Sequence, residues 1–240
     1  MLDIPIKVKN LSFGYSPEKP ILENISFTIQ PGEKVALLGP TGMGKSTLME
    51  NLIGLQLPQQ GEILIANLPV KKENLPAIRK IIGFAFQNPD DQLFMPNIFD
   101  DIMFGPNNYH IPTDLAIKQT NHLLEKFNLI PYANYSAYQL SGGQKRLASL
   151  ATILVLEPQI LILDEPTNGL DPLWRKNLAE ILNSLTINAL FISSHDLHWI
   201  SKVTERCLIL YDGKIQVDLP TKELMKNTAL LADYGLPVDY

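Results

Sequence analysis

The sequence predicts an α/β protein: a mixed, mostly parallel sheet, antiparallel strands before it, and a helical segment inserted into it. Three observations carry that expectation. Short apolar runs at Val35–Leu38, Ile160–Leu163, Ala189–Ile192 and Cys207–Leu210 are interleaved with helix-like stretches, as buried parallel strands are. Upstream, Ile6–Lys9, Leu11–Tyr15 and Ile25–Ile29 alternate apolar and polar residues, the pattern of half-buried antiparallel strands. From Asn88 to about Pro158 the reading turns helical, with loops around Pro96, Pro106 and Pro131.

In chain order, Pro17 to Pro20 forms a loop, and Pro31-Gly32 turns the chain into the first buried strand. Residues from Ser46 to Ile53 read as a helix, ended by Leu57-Pro58-Gln59-Gln60-Gly61. Glu62–Ile65 and Ile81–Phe86 return to strand, the latter closing at Gln87. Thr113 is expected to cap a helix running to Phe127, with Leu115, Leu123, Leu124 and Phe127 on its apolar side. Asp212-Gly213-Lys214 reads as a hairpin turn into Ile215-Gln216-Val217, and Thr221 starts a last helix. The expected organisation is one domain over residues 1–240, with a core of 1–87 and 159–240 and a helical sub-domain of about 88–158.

The chain has 240 residues, 45% of them hydrophobic, enough to bury a sizeable core. A net charge of −5 argues against a general basic surface for nucleic acid. The single cysteine, Cys207, excludes an internal disulfide and reads as a buried, inert thiol. No apolar run is long enough to span a bilayer, and Met1–Pro5 does not read as a signal peptide, so a cytoplasmic protein is expected.

The chemistry centres on Gly39-Pro40-Thr41-Gly42-Met43-Gly44-Lys45-Ser46-Thr47, which fits G-x-x-x-x-G-K-[ST] between a strand and a helix. Glycines let backbone N–H groups curl around an anion, and the helix N-terminus adds its positive end. Lys45 is expected to reach the β- and γ-phosphates of a nucleoside triphosphate, and the Ser46 hydroxyl to meet Mg²⁺. Asp164, closing an apolar strand, is placed to hold Mg²⁺, and Glu165 to polarise a water for attack on the γ-phosphate.

Leu140-Ser141-Gly142-Gly143-Gln144 narrows the class. Ser141 can cap a helix while two glycines expose N–H groups, making a second anion cradle. This pentapeptide, with the phosphate loop and Asp164-Glu165, resembles the signature of the ATP-binding subunits of ATP-binding-cassette (ABC) transporters. The resemblance runs from Leu11 to about Lys222. It implies a head-to-tail pair of ATPase chains, each ATP lying between one chain's Lys45 loop and the other's Ser141 loop. It assigns Tyr15 to stacking on adenine, and Gln87 to sensing Mg²⁺, the attacking water and the membrane partner. Asp171, in Gly169-Leu170-Asp171, falls in a loop crossing the dimer interface, and His195 contacts the γ-phosphate and orients Glu165. Asp171 before Pro172 also reads as an ordinary helix cap.

Gln87–Phe94, Phe104-Gly105-Pro106 and Gly142–Arg146 are similar to the cobalt/energy-coupling-factor branch, whose members power uptake of vitamins and metal ions. The chain departs from the family at Thr41 and Met43, where asparagine and a small residue are commoner, and at Leu147, which replaces a frequent second arginine. Membrane-embedded subunits are expected to contact Asp90–Met95, holding the chain peripherally on the cytoplasmic face of the membrane. A cassette ATPase acting in DNA repair or translation is the alternative. Such proteins tend to show two cassettes, long coiled coils or basic surfaces, none of which is visible here.

Overall fold

The computed structural model describes residues 3–16 and 19–237, so Pro17 and Glu18 of the expected first loop, and Met1-Leu2, lie outside the described residues. The chain opens with β1 (Ile6–Phe13) and β2 (Leu22–Ile29), paired antiparallel from Ile6 opposite Ile29 to Phe13 opposite Leu22. The two alternating runs expected before Tyr15 form one strand, whose register shifts between Val8 and Leu11, where Asn10 takes a φ of +48°. β3 (Glu33–Leu38) leads into α1 (Lys45–Leu52). β4 (Gln60–Ile65) and β5 (Leu68–Pro69) complete an antiparallel sheet of order β2-β1-β4-β5.

α2 (Leu75–Ile81) and β6 (Ile82–Ala85) precede the helical stretch, which contains α3 (Ile98–Asn108), α4 (Thr113–Lys126) and α5 (Gly142–Leu154). β7 (Ile160–Asp164), α6 (Pro172–Ser184), β8 (Ala189–Ser193), α7 (Leu197–Val203), β9 (Arg206–Tyr211) and β10 (Lys214–Pro220) follow. Two short helices, α8 (Thr221–Leu224) and α9 (Thr228–Asp233), end the described chain. The second sheet has the order β10-β9-β3-β8-β7-β6. It is parallel except at β9–β10, joined by Asp212-Gly213 with φ of +48° and +70°, as a tight hairpin turn requires.

This sheet separates two cores. Successive strand residues point to opposite faces. Val35, Leu37, Ile160 and Ile162 therefore pack with α1 and the antiparallel sheet, while Ala36, Leu38, Leu161 and Leu163 pack with α3, α4, α5 and α6.

The α4 expectation needs correction. Pro112, extended at ψ 130°, occupies the cap position, its carbonyl accepts from Ala116 N–H, and the Thr113 side chain caps nothing. With proline's φ already fixed near the helical value, the chain enters the helix one residue early. The buried stripe is Ala116, Thr120, Leu123, Leu124 and Phe127, and Leu115 is exposed.

Candidate active site

The C-terminal ends of β3, β8, β7 and β6 lie side by side in that order, and the loops leaving them meet in one cleft of about 220 Å³. Thr41, Gly42, Gly44, Lys45, Ser46, Thr47, Gln87, Asp164, Glu165 and His195 line it, together with Ile21.

The phosphate loop owes its path to glycine at two points. At Gly39, φ is +146° and a Cβ would sit 2.2 Å from the Leu210 carbonyl oxygen, so the loop starts pressed against β9. At Gly44, φ is +93° and a Cβ would sit 2.8 Å from Ile21 Cγ2. Gly44 precedes α1 with no side-chain cap, which leaves first-turn N–H groups beside the cleft without intrahelical acceptors. Lys45 is buried, and its Nζ donates to the carbonyls of Gly39 at 2.6 Å and Pro40 at 3.0 Å. Burial lowers its pKa, while Glu165 and Asp164 oppose that shift.

β8 lies between β3 and β7, and this places Ser193 at the centre of the acidic pair. Its Oγ donates to Asp164 Oδ1 and accepts from Glu165 N–H at 3.0 Å, and its carbonyl accepts the same N–H at 3.1 Å. These bonds hold Glu165 at a φ of +48°, a conformation that costs a non-glycine residue about 1–3 kcal/mol. The Glu165 carboxyl is 2% exposed as a residue and faces His195: the backbone N–H of His195 donates to Oε2 at 3.2 Å, and Nε2 lies 3.0 Å from Oε1. Burial, opposed by the His195 N–H and Lys45, raises the Glu165 pKa to about 7. Burial, with Lys45, lowers that of His195. A carboxyl poised near neutrality beside a histidine suits proton transfer to and from water. Ser46, Asp164 and Gln87 bring hard oxygen donors to the same cleft. A hydroxyl, an amide oxygen and one carboxylate fit an ion that keeps water and phosphate ligands, as Mg²⁺ does.

The other expected residues lie outside the cleft lining. Gly39 and Pro40 sit behind it as acceptors for Lys45. Met43 packs toward the core on the α1 side. Tyr15 is 61% exposed; its hydroxyl donates to Glu50 Oε2 at 3.2 Å, and its ring meets Phe13 edge-on at 5.2 Å. Ser141 and Gln144 form a reciprocal cap on α5: Ser141 Oγ accepts from Gln144 N–H at 3.3 Å, and Gln144 Oε1 accepts from Ser141 N–H at 2.8 Å. Gly142 is exposed, and a Cβ there would meet nothing within 4 Å. Gly143 packs against the Gly169 carbonyl, where a Cβ would lie at 3.1 Å. Asp171 caps α6 by accepting from Trp174 N–H at 2.8 Å, with Pro172 at the first helical position.

Three contributors escape a reading of the sequence. Ser193 was visible only as a neighbour of His195, and nothing marked Ile21. Arg146 stood among motif residues, but its burial, at 2% exposure, is unusual for arginine and not encoded locally.

The family model described as "ABC transporter" matches residues 22–168. The energy-coupling factor transporter ATP-binding protein EcfA of Methanocaldococcus jannaschii is 37% identical over 235 residues, covering 96% of this chain and 84% of that protein. Other curated relatives at comparable identity carry only the general name of an ABC transporter ATP-binding protein. Among solved structures, cbiO1 of Clostridium perfringens, part of the ABC transporter complex cbiONQ, superposes with a TM-score of 0.82 at 33% identity, covering 98% of this chain and 96% of that one. The cassette MJ0796, as a dimer in a post-hydrolysis state with ADP and Pi, gives 0.80 at 27% identity over 90% of this chain and 98% of its own.

Proposed function

Since this chain belongs to the ABC transporter family, as an ATP-binding subunit that hydrolyses ATP to power transport, we propose that it serves an importer of the energy-coupling-factor or cobalt type, for a vitamin or metal ion. The observation that carries the mechanism is the cleft joining the Lys45 loop, Asp164, Glu165, His195 and Gln87 while leaving the Ser141 loop out.

Lys45 and the first-turn N–H groups of α1 bind the β- and γ-phosphates, Lys45 exchanging its two carbonyl partners for phosphate oxygens. Ser46, Asp164 and Gln87 would hold Mg²⁺, which would neutralise phosphate charge there. Glu165 accepts a proton from the attacking water, and His195 holds its carboxyl in place from the β8 side. Tyr15 offers its exposed ring to adenine. ABC cassettes dimerise and pair with transmembrane components. In the arrangement proposed here, Ser141, Gly142, Gly143, Gln144 and Asp171 meet the nucleotide of a second chain placed head to tail, identical or not. Among the described residues no helix is long and apolar enough to cross a membrane, which fits a subunit held peripherally by its partners.

The membrane partner is assigned to Asp90–Met95. Phe94 is 63% exposed and stacks edge-on with exposed Phe104 at 4.8 Å. Asp90 pairs with Lys145 at 2.6 Å, so exposed Asp91 is the acid left for a basic partner. Replacing Asp91 with Arg and Phe94 with Ala is expected to leave ATP binding and Tm of the isolated chain unchanged. The same changes should weaken co-purification with the membrane subunits and uncouple hydrolysis from uptake. Unaltered assembly and transport would remove this segment from the interface.

A further inference from the structure

We infer that Arg146 is a positioning residue: its guanidinium holds the main chain at Phe86 and Gln87, so that α5, with the Ser141 loop at its start, and Gln87 move as one unit. The inference rests on the role proposed for Gln87 in the cleft.

The pairing of β6 with β7 ends at Ala85 opposite Leu163. Beyond that point the carbonyls of Phe86 and Gln87 need donors from elsewhere, and Arg146 supplies both. Nη1 donates to the Phe86 carbonyl at 2.7 Å, and Nη2 donates to that of Gln87. Two further links bind the same segment to the same helix. Gln92 Nε2 donates to the Ser149 carbonyl at 2.8 Å and to Thr152 Oγ1 at 2.6 Å, while its Oε1 accepts from Phe86 N–H at 3.4 Å. Lys145 pairs with Asp90. The segment from Phe86 to Gln92 is thus held along about two turns of α5, from Lys145 to Thr152.

Stability alone does not account for a guanidinium here. Arg146 is 2% exposed, and among the described residues its Nε has no partner and no carboxylate pairs with it directly. Burial works against its charge, and the field of Asp164 and Glu165 offsets that only from a distance. An apolar side chain of the same length would fill the space without that cost. What an apolar chain cannot do is bond two successive carbonyls, and a lysine, with one nitrogen, cannot reproduce the rigid fork. The arginine therefore fixes the direction in which Gln87 leaves the sheet. In a head-to-tail pair, Ser141 reads the partner's nucleotide while Gln87 faces the chain's own, so the fork passes displacement of one to the other.

The test measures ATPase activity and fluorescent-ATP binding of the purified chain for Arg146→Met, Gln87→Ala, the double variant and Arg146→Lys. Arg146→Met is expected to lower kcat on the order of tenfold to a hundredfold. The KM for ATP should stay within about threefold, because the phosphate loop is untouched. Combined with Gln87→Ala, it should add little, since both remove the same placement. Arg146→Lys should recover part of kcat. If Arg146→Met fails to fold, Arg146→Lys and Arg146→Gln carry the same comparison with Gln87→Ala. Parent kcat in the Arg146 variants, or losses that multiply fully with those of Gln87→Ala, overturn the inference. Parent kcat in Gln87→Ala would instead remove the role of Gln87 itself, and this inference with it.

Discussion

The chain builds two glycine-bearing helix starts of similar outline and opposite character. At the head of α1, Gly44 offers no side-chain cap, so the first N–H groups are left for a ligand, and Lys45 is buried beside two acids. At the head of α5, Ser141 and Gln144 satisfy each other, Gly142 is open to solvent, and the nearby cations are already engaged. Lys145 pairs with Asp90 and lies 5.8 Å from the centre of the Tyr138 ring, and Arg146 holds Phe86 and Gln87. A polyphosphate carries several negative charges, and only the first cradle brings a cation to meet them. The difference teaches that the means to bind a polyphosphate are concentrated at α1; in the head-to-tail pair proposed above, α5 would supply a neutral, preformed surface that adds to a nucleotide already held.

The largest effect that would sharpen this contrast is at Glu165. Glu165→Gln keeps the shape but cannot take a proton, so turnover is expected to fall by about 10²–10⁴-fold while fluorescent-ATP binding persists. Hydrolysis at the parent rate would remove Glu165 as the base. The same variant has a second readout. The Glu165 pKa is raised to about 7 in the fold, from 4.5, so the folded chain holds a proton that the unfolded chain releases first. The group's contribution to stability is therefore complete below pH 4.5 and is lost as pH rises toward 7, by about 3 kcal/mol. Glu165→Gln should flatten that part of the pH profile of denaturant unfolding.

Mixing variants breaks the comparison more directly. Lys45→Ala removes the cation of the first cradle, and Gly142→Asp places a carboxylate where the second would meet phosphate. Each homogeneous preparation is expected to be nearly inactive. A mixture should recover part of the activity, because one of its two composite sites combines an intact Lys45 loop with an intact Ser141 loop. Mixed dimers that stay inactive would count against the head-to-tail pairing. The smallest effect concerns the cap alone. Ser141→Ala opens the Ser141–Gln144 box and should lower unfolding stability by about 1 kcal/mol, with unchanged ATP affinity in the monomer. A marked loss of monomer affinity would mean that the two cradles are not separate.

Much of this was legible beforehand, for physical reasons that differ by region. The buried strands announced themselves because both faces of the second sheet are covered, so Ile160–Leu163 has no polar residue to hide it. Asp171-Pro172 and Asp212-Gly213 were readable because caps and tight turns are local chemistry. Thr113 misled because Pro112 competes for the same cap position and wins on backbone geometry. Ser193 and Arg146 were illegible because their partners lie 28 to 60 residues away, set by strand order and helix packing. The hydroxyl of Tyr15 met Glu50 for the same reason.

The strand that carries the phosphate loop has a further bearing, on the order in which the molecule is made. β3 pairs Glu33 with Ala189 on one side and Val35 with Arg206 on the other, and the first glycine of its loop rests on Leu210. During synthesis the phosphate-loop residues leave the ribosome long before the two strands that shape them, β8 and β9. Until then β3 is an unpaired apolar edge, a natural target for chaperones and for misassociation. Ribosome-arrested chains of graded length should accordingly retain ATP in a single late step after β9 emerges, rather than gradually as residues are added.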